Sequence, residues 1–166
     1  MLPSLTEQWG ACLETMHAWF EQVHLPAEQR EPMNCCEDQT SVQEWRLEIQ
    51  RAEVSITLIH TDNDIRLQLF APIRSVSEHE KRTDLFEKCL RFNATTLAGC
   101  AFALEEDTLM IQSDRTAIGL TIHHIQDAVS HVMRFAGLRH VSSEQVIDEL
   151  EEIFEVCQPP GLIGLN

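Results

Sequence analysis

An α+β domain, an antiparallel sheet packed against helices, is the fold class this chain predicts. Apolar residues alternate with period two in three consecutive stretches between Trp45 and Leu69. They recur at spacings of three and four on either side of those stretches. The resulting order is helix, strands, helix, short hairpin, helix. Period two marks half-buried strands, and a period near 3.6 marks amphipathic helices.

The first helix spans Leu5 to Val23, with Trp9, Cys12, Leu13, Met16 and Phe20 on one stripe. Pro26 and Pro32 bracket a polar connection, and Glu37 to Ser41 reads as further loop. The strands follow. Trp45, Leu47 and Ile49 alternate with Arg46, Glu48 and Gln50, and Val54, Ile56 and Leu58 repeat the pattern at even positions. That change of parity requires a turn or bulge near Arg51-Ala52-Glu53. Thr61-Asp62-Asn63-Asp64 forms a turn, because such side chains hydrogen-bond their own backbone. Ile65, Leu67 and Leu69 make the third strand, ended by Pro72. The opposite face carries Arg46, Glu48, Ser55, Thr57, Arg66 and Gln68, as in an antiparallel meander with one wet face.

A second helix starts near a capping box at Ser77 and Glu80 and buries Leu85, Phe86, Cys89, Leu90 and Phe92. Asn93, Thr95, Thr96 and Gly99 end it. Cys100, Phe102 and Leu104 face one way in a hairpin that returns through Leu109 to Gln112, with its turn at Glu105 to Thr108. Thr121 caps a third helix whose stripe is Ile122, Ile125, Val129, Val132, Met133 and Ala136, closed by Gly137. An acidic helix after Ser142 uses Val146, Ile147, Leu150, Ile153 and Phe154. The expected organisation is a domain over 1–140, a helical extension over 141–157 and a tail over 158–166.

The 27 acidic residues against 12 basic ones, in 166, disfavour nucleic acid and anionic membrane surfaces as partners. Met1 to Phe20 lacks a basic export-type start, and no apolar run approaches the roughly 20 residues of a membrane span. A cytoplasmic protein with reduced cysteines is the expectation.

Candidate chemistry is sparse, and each group has a structural explanation beside the functional one. Cys35-Cys36 is a vicinal pair that could bind a soft metal or sense oxidants, but it lacks the two-residue gap of a zinc hairpin. His123, His124, Asp127 and His131 share the third helix and could converge on a metal, yet a histidine-bearing helix face is more often simply solvated. Cys89 and Cys100 fall on apolar faces and read as core. Ser113-Asp114 has no histidine at a motif spacing, and Gly161 to Gly164 follows no strand. No catalytic constellation or cofactor site is expected. Trp9 and Trp19 are the better interface candidates among the tryptophans. Glu144, Asp148, Glu151, Glu152 and Glu155 offer a docking face for a basic partner, or only a solvated one.

The helix ending Leu90-Arg91-Phe92-Asn93 and the hairpin Phe102-Ala103-Leu104-Glu105-Glu106-Asp107, with the flanking elements from Leu5 to Ala136, resemble the type III secretion chaperone-like superfamily. This includes the CesT-like secretion chaperones and the YbjN-like proteins. The resemblance implies a non-enzymatic cytosolic homodimer that holds a segment of a client protein through strand addition and apolar anchors. A YbjN-like regulator or adaptor is the alternative within it. A thiol or metal sensor built on Cys35 and Cys36 is the alternative outside it. The polar sheet face and the helix after Ser142 depart from the chaperone pattern.

Overall fold

The computed structural model describes residues 3–24, 27–29, 33–35, 40–49, 52–76, 82–95 and 99–136. Helix α1 (Leu5–Val23) opens with a reciprocal cap. The Ser4 hydroxyl accepts from the Glu7 N–H, and the Glu7 carboxylate accepts from the Ser4 N–H at 2.7 Å. The Ser4 N–H and the Ser4 hydroxyl both donate to the Glu7 carboxylate and hold it below its usual range. His24, left-handed with φ 51°, closes the helix by donating to the Phe20 carbonyl.

Among the described residues seven strands follow: β1 (Ala27–Gln29), β2 (Met33–Cys35), β3 (Thr40–Ile49), β4 (Ala52–His60), β5 (Ile65–Ser75), β6 (Cys100–Glu105) and β7 (Thr108–Thr116). They form one antiparallel sheet in the order β1-β3-β4-β5-β7-β6, with β2 also paired to β3. The connection expected from Pro26 to Pro32 therefore contains the short strand β1, β2 follows it, and β3 starts within the loop expected from Glu37 to Ser41. Ala27 pairs with Leu47 and Met33 with Val42, so β1 and β2 share the outer edge of β3. Three residues are too few for alternation to show, and what holds them is the row of edge N–H and C=O groups on β3.

The register Trp45↔Ile56 and Leu47↔Val54 sets odd positions of β3 opposite even positions of β4, which accounts for the parity change. The even positions of β4 continue onto the odd positions of β5, through Ile56↔Leu69 and Leu58↔Leu67. β5 runs on through Pro72 to Ser75 instead of ending there. The pairing with β7 shifts between Pro72 and Arg74, so the proline of this central strand sits at an irregularity. β7 likewise extends past Gln112 to Thr116, and the hairpin turn narrows to Glu106–Asp107, with Glu106 at φ 53°.

One face of the sheet is the core. Ile56, Leu58, Ile65, Leu67, Leu69 and Ile111 are fully buried on it, each stabilising the fold by roughly 1.5–3 kcal/mol. Helix α3 (Ile122–Ala136) covers β5 and β7, and α1 packs beside α3. Thr121 caps α3, its hydroxyl accepting from the His124 N–H at 3.3 Å. Ala128 and Phe135 join the buried stripe expected for this helix. Helix α2 (Arg82–Thr95) packs against β6, and Asn93 lies inside it instead of ending it. The capping box at Ser77 and Glu80, Gly137 and the acidic helix after Ser142 lie outside the described residues. Among the described residues no helix is long and apolar enough to cross a membrane.

Candidate functional site

The site is assembled where α2 meets β6, the last strand on its side of the sheet among the described residues. Its central contact is a two-point clamp. The Asn93 side chain accepts from the Phe102 N–H at 2.7 Å and donates to the Phe102 carbonyl at 3.0 Å. Those two backbone groups point away from β7, and an amide side chain satisfies both with the donor and acceptor a further strand would offer. Asn93 therefore closes that position of the edge and ties α2 to the sheet. Phe102 lies 6.3 Å from Phe92 and 5.6 Å from Phe135, edge to face, so an aromatic column joins α2, β6 and α3.

Beside the clamp is an open apolar groove of about 290 Å³. Phe86, Cys89, Leu90 and Asn93 line it from α2, with Phe102, Ala103 and Leu104 from β6 and Leu109 from β7. Leu90 is 66% exposed and Leu104 46%. Leu90 was expected on the buried side of its helix and is at the surface, and Leu104, on the same strand face as buried Cys100 and Phe102, is exposed as well. The apolar positions of α2 spread over a wide arc of the helix, of which the part that holds Leu85, Cys89 and Phe92 is buried and the part that holds Leu90 is not.

The thiols here are closed. Burial pushes the Cys89 thiol up to about 11 and raises Cys12 and Cys100 as well. Cys12 donates to the Ala117 carbonyl.

The outer sheet face carries ion pairs. Arg66 reaches Asp114 at 2.9 Å and Asp64 at 3.2 Å, and Arg46 reaches Glu44 at 3.1 Å. Exposed pairs of this kind contribute about 0–1 kcal/mol each. The face is not polar throughout: half-buried Phe70, Pro72 and Met110 lie on it, with Pro72 directly opposite Met110. The alternation read only to Leu69 missed Phe70 and Pro72, because β5 was expected to stop at Pro72.

The remaining expected residues fall into three groups. Trp9 is half-buried and stacks on the His60 ring at 5.5 Å. Trp19, expected as an interface residue, is 2% exposed and belongs to the core against Phe20. His123, His124 and Asp127 are exposed on α3 and His131 is half-buried. No cluster of three or more His, Cys, Asp or Glu that could hold a metal occurs among the described residues. Ser113 and Asp114 are occupied structurally, Ser113 donating to the Gly99 carbonyl at 2.7 Å and Asp114 pairing with Arg66. Cys35 belongs to β2. Cys36, Glu144, Asp148, Glu151, Glu152 and Glu155 lie outside the described residues. Asn93 is the residue whose role sequence reasoning missed; it was read as a helix breaker.

The fold is similar to a chain of the solved structure "Structure of the HopA1-SchA Chaperone-Effector Complex", with a TM-score of 0.50 and 12% identity. The match covers 77% of this chain and 92% of that one. At that identity the likeness is one of fold. No curated protein sequence matches. The model of the YbjN family, described as "Putative bacterial sensory transduction regulator", matches residues 13–135. That span runs from within α1 to the last turn of α3, and so takes in the clamp, the groove and the whole sheet. The chain belongs to the YbjN family.

Proposed function

We propose that this protein is a non-enzymatic, cytoplasmic adaptor that holds a segment of a protein partner and works as a homodimer. The observation that carries the proposal is the open groove between α2 and β6, with two leucines held at its surface beside a strand edge. Its apolar lining suits side-chain anchors. Membership of the YbjN family and the likeness to a chain of a chaperone–effector complex support a protein partner. The regulatory description of the family fits the same binding chemistry, since a regulatory adaptor differs in what its partner does. Trp9 and the carboxylates of Glu144, Asp148, Glu151, Glu152 and Glu155 belong to the proposal as further contacts for a basic partner.

The test is affinity capture with the full chain, followed by protease protection of the captured partner and light scattering of the adaptor alone. The reading expects a stoichiometric protein partner with one protected segment, and a dimeric adaptor. Near-stoichiometric zinc or copper with no protein partner, lost on replacing Cys35 and Cys36 by Ser, would overturn it in favour of a sensor.

A further inference from the structure

The far edge of β6 differs from one residue to the next. An exposed edge offers its outward N–H and C=O groups to any extended chain. Asn93 blocks that offer at Phe102. In an antiparallel strand the residue two positions along presents its backbone in the same direction, so Leu104 also faces away from β7, over the groove. Leu104 and Leu90 are the exposed apolar side chains at this point. Beyond Leu104 the hairpin turn carries Glu105, Glu106 and Asp107, all exposed, and Glu87 is exposed three residues before Leu90 on α2.

We infer that the groove seats a short extended segment of a protein partner, apolar in its middle and flanked by Lys or Arg, whose backbone pairs with Leu104 while its apolar side chains lie between Leu90 and Leu104. The inference rests on the protein-binding reading and specifies the partner's chemistry. Charge decides among the possible occupants. The chain's own end, from Val141 to Asn166, holds no Lys or Arg and many carboxylates, and so would meet an acidic rim with like charge. A second copy docked through the same patch would set the two acidic turns against each other. Arg91 lies beside Leu90, but about 100° round the helix from it, and Lys88 about 200°. The hairpin turn next to Leu104 carries Glu105, Glu106 and Asp107. Asn93 limits the pairing, because a longer added strand would have to displace its amide from Phe102.

The experiment is fluorescence anisotropy on the full chain with two synthetic peptides of alternating Leu and Thr, one ended by Arg and the other by Glu. The Arg-ended peptide is expected to bind, weakening about tenfold from low to high salt, and the Glu-ended one to bind far less. Leu90→Glu and Leu104→Ala each weaken binding about tenfold, the worth of one buried leucine contact. Leu104→Pro weakens it further than Leu104→Ala, since proline removes the edge N–H without touching a ladder bond. Circular dichroism of each variant confirms the fold. Equal binding of both peptides, or binding unchanged by Leu90→Glu, would overturn the inference. So would wild type that binds neither peptide while Leu90→Glu turns a dimer into a monomer, which assigns the groove to a second copy. Binding that emerges only with Leu150→Asp and Phe154→Asp would give it to the chain's own end. A cellular partner captured equally by wild type and Leu90→Glu would keep the adaptor reading and remove the groove from it.

Discussion

Ile56, Leu58 and Leu67, in the β3–β5 meander, are 0% exposed, while Leu90 and Leu104, at the α2–β6 end of the same molecule, are 66% and 46% exposed. Both regions draw on leucines and other large apolar side chains spaced for their element. The meander strands have neighbours on both sides and helices over one face. At the other end β6 has, among the described residues, a strand on one side only, and α2 packs against β6. Periodicity states which side chains share a face. Whether another element covers that face is a property of the assembled fold, and at the α2–β6 end Leu90 and Leu104 are left exposed.

Substitutions at matched leucines test the contrast most strongly. Leu67→Ala is expected to cost about 2–5 kcal/mol, for lost burial and the cavity left behind. Leu90→Ala is expected to stay within about 0.5 kcal/mol of wild type. Urea unfolding of the two variants measures both, and similar losses would erase the distinction.

Asn93→Ala is expected to fall between them, at about 1–3 kcal/mol, because it strips the Phe102 N–H and carbonyl of their partner. Asn93→Asp keeps an acceptor for the N–H but sets a carboxylate against the carbonyl, so it should not recover wild-type stability at neutral pH. A loss for Asn93→Ala no larger than that for Leu90→Ala would mean that the clamp holds nothing.

Ser4→Ala removes the α1 cap and should cost about 1 kcal/mol. The Glu7 carboxyl on the other side of that box is lowered in the folded chain. Its contribution is therefore present above the unfolded pKa and lost as pH falls through the lower folded value. Comparing Glu7→Gln with wild type across acidic pH reads this directly: the difference should be present near neutrality and vanish in acid.

Labelling gives the smallest effect. The Cys89 thiol is raised to about 11 in the folded chain, so its contribution is intact below the unfolded value near 8.5 and declines as pH rises from there through about 11. At pH about 8, alkylation mapped by mass spectrometry should spare Cys12, Cys89 and Cys100 in the native chain and reach all three in urea. Native labelling of Cys89 at the unfolded rate would show that the groove admits reagent to its floor.

The sequence carried α1 from Leu5 to Val23, the three central strands and the start of α3, because each repeats a period over many residues or begins at a capping side chain. It could not show β1 and β2, which are three residues each and held by pairing to β3. It also hid the run of β5 through Pro72, where the irregular register tolerates a residue that local reading treats as a stop. The candidate site was legible only in part. Leu90, Phe92, Asn93, Phe102 and Leu104 all drew attention as elements of helix or hairpin. That Asn93 serves the backbone of a residue nine positions later, and that Leu90 and Leu104 are left outside, depends on how α2 lies against β6, which no local pattern encodes.

The central claim is that the β6 edge is closed at Phe102 and open at Leu104, where a partner segment can pair. Amide hydrogen exchange of these two residues in the full chain, followed by NMR, tests it most directly. The account predicts strong protection of the Phe102 N–H by Asn93 and rapid exchange at Leu104, slowed only when the Arg-ended peptide is added. Equal protection of both amides in the free protein would contradict it, and so would rapid exchange at Phe102.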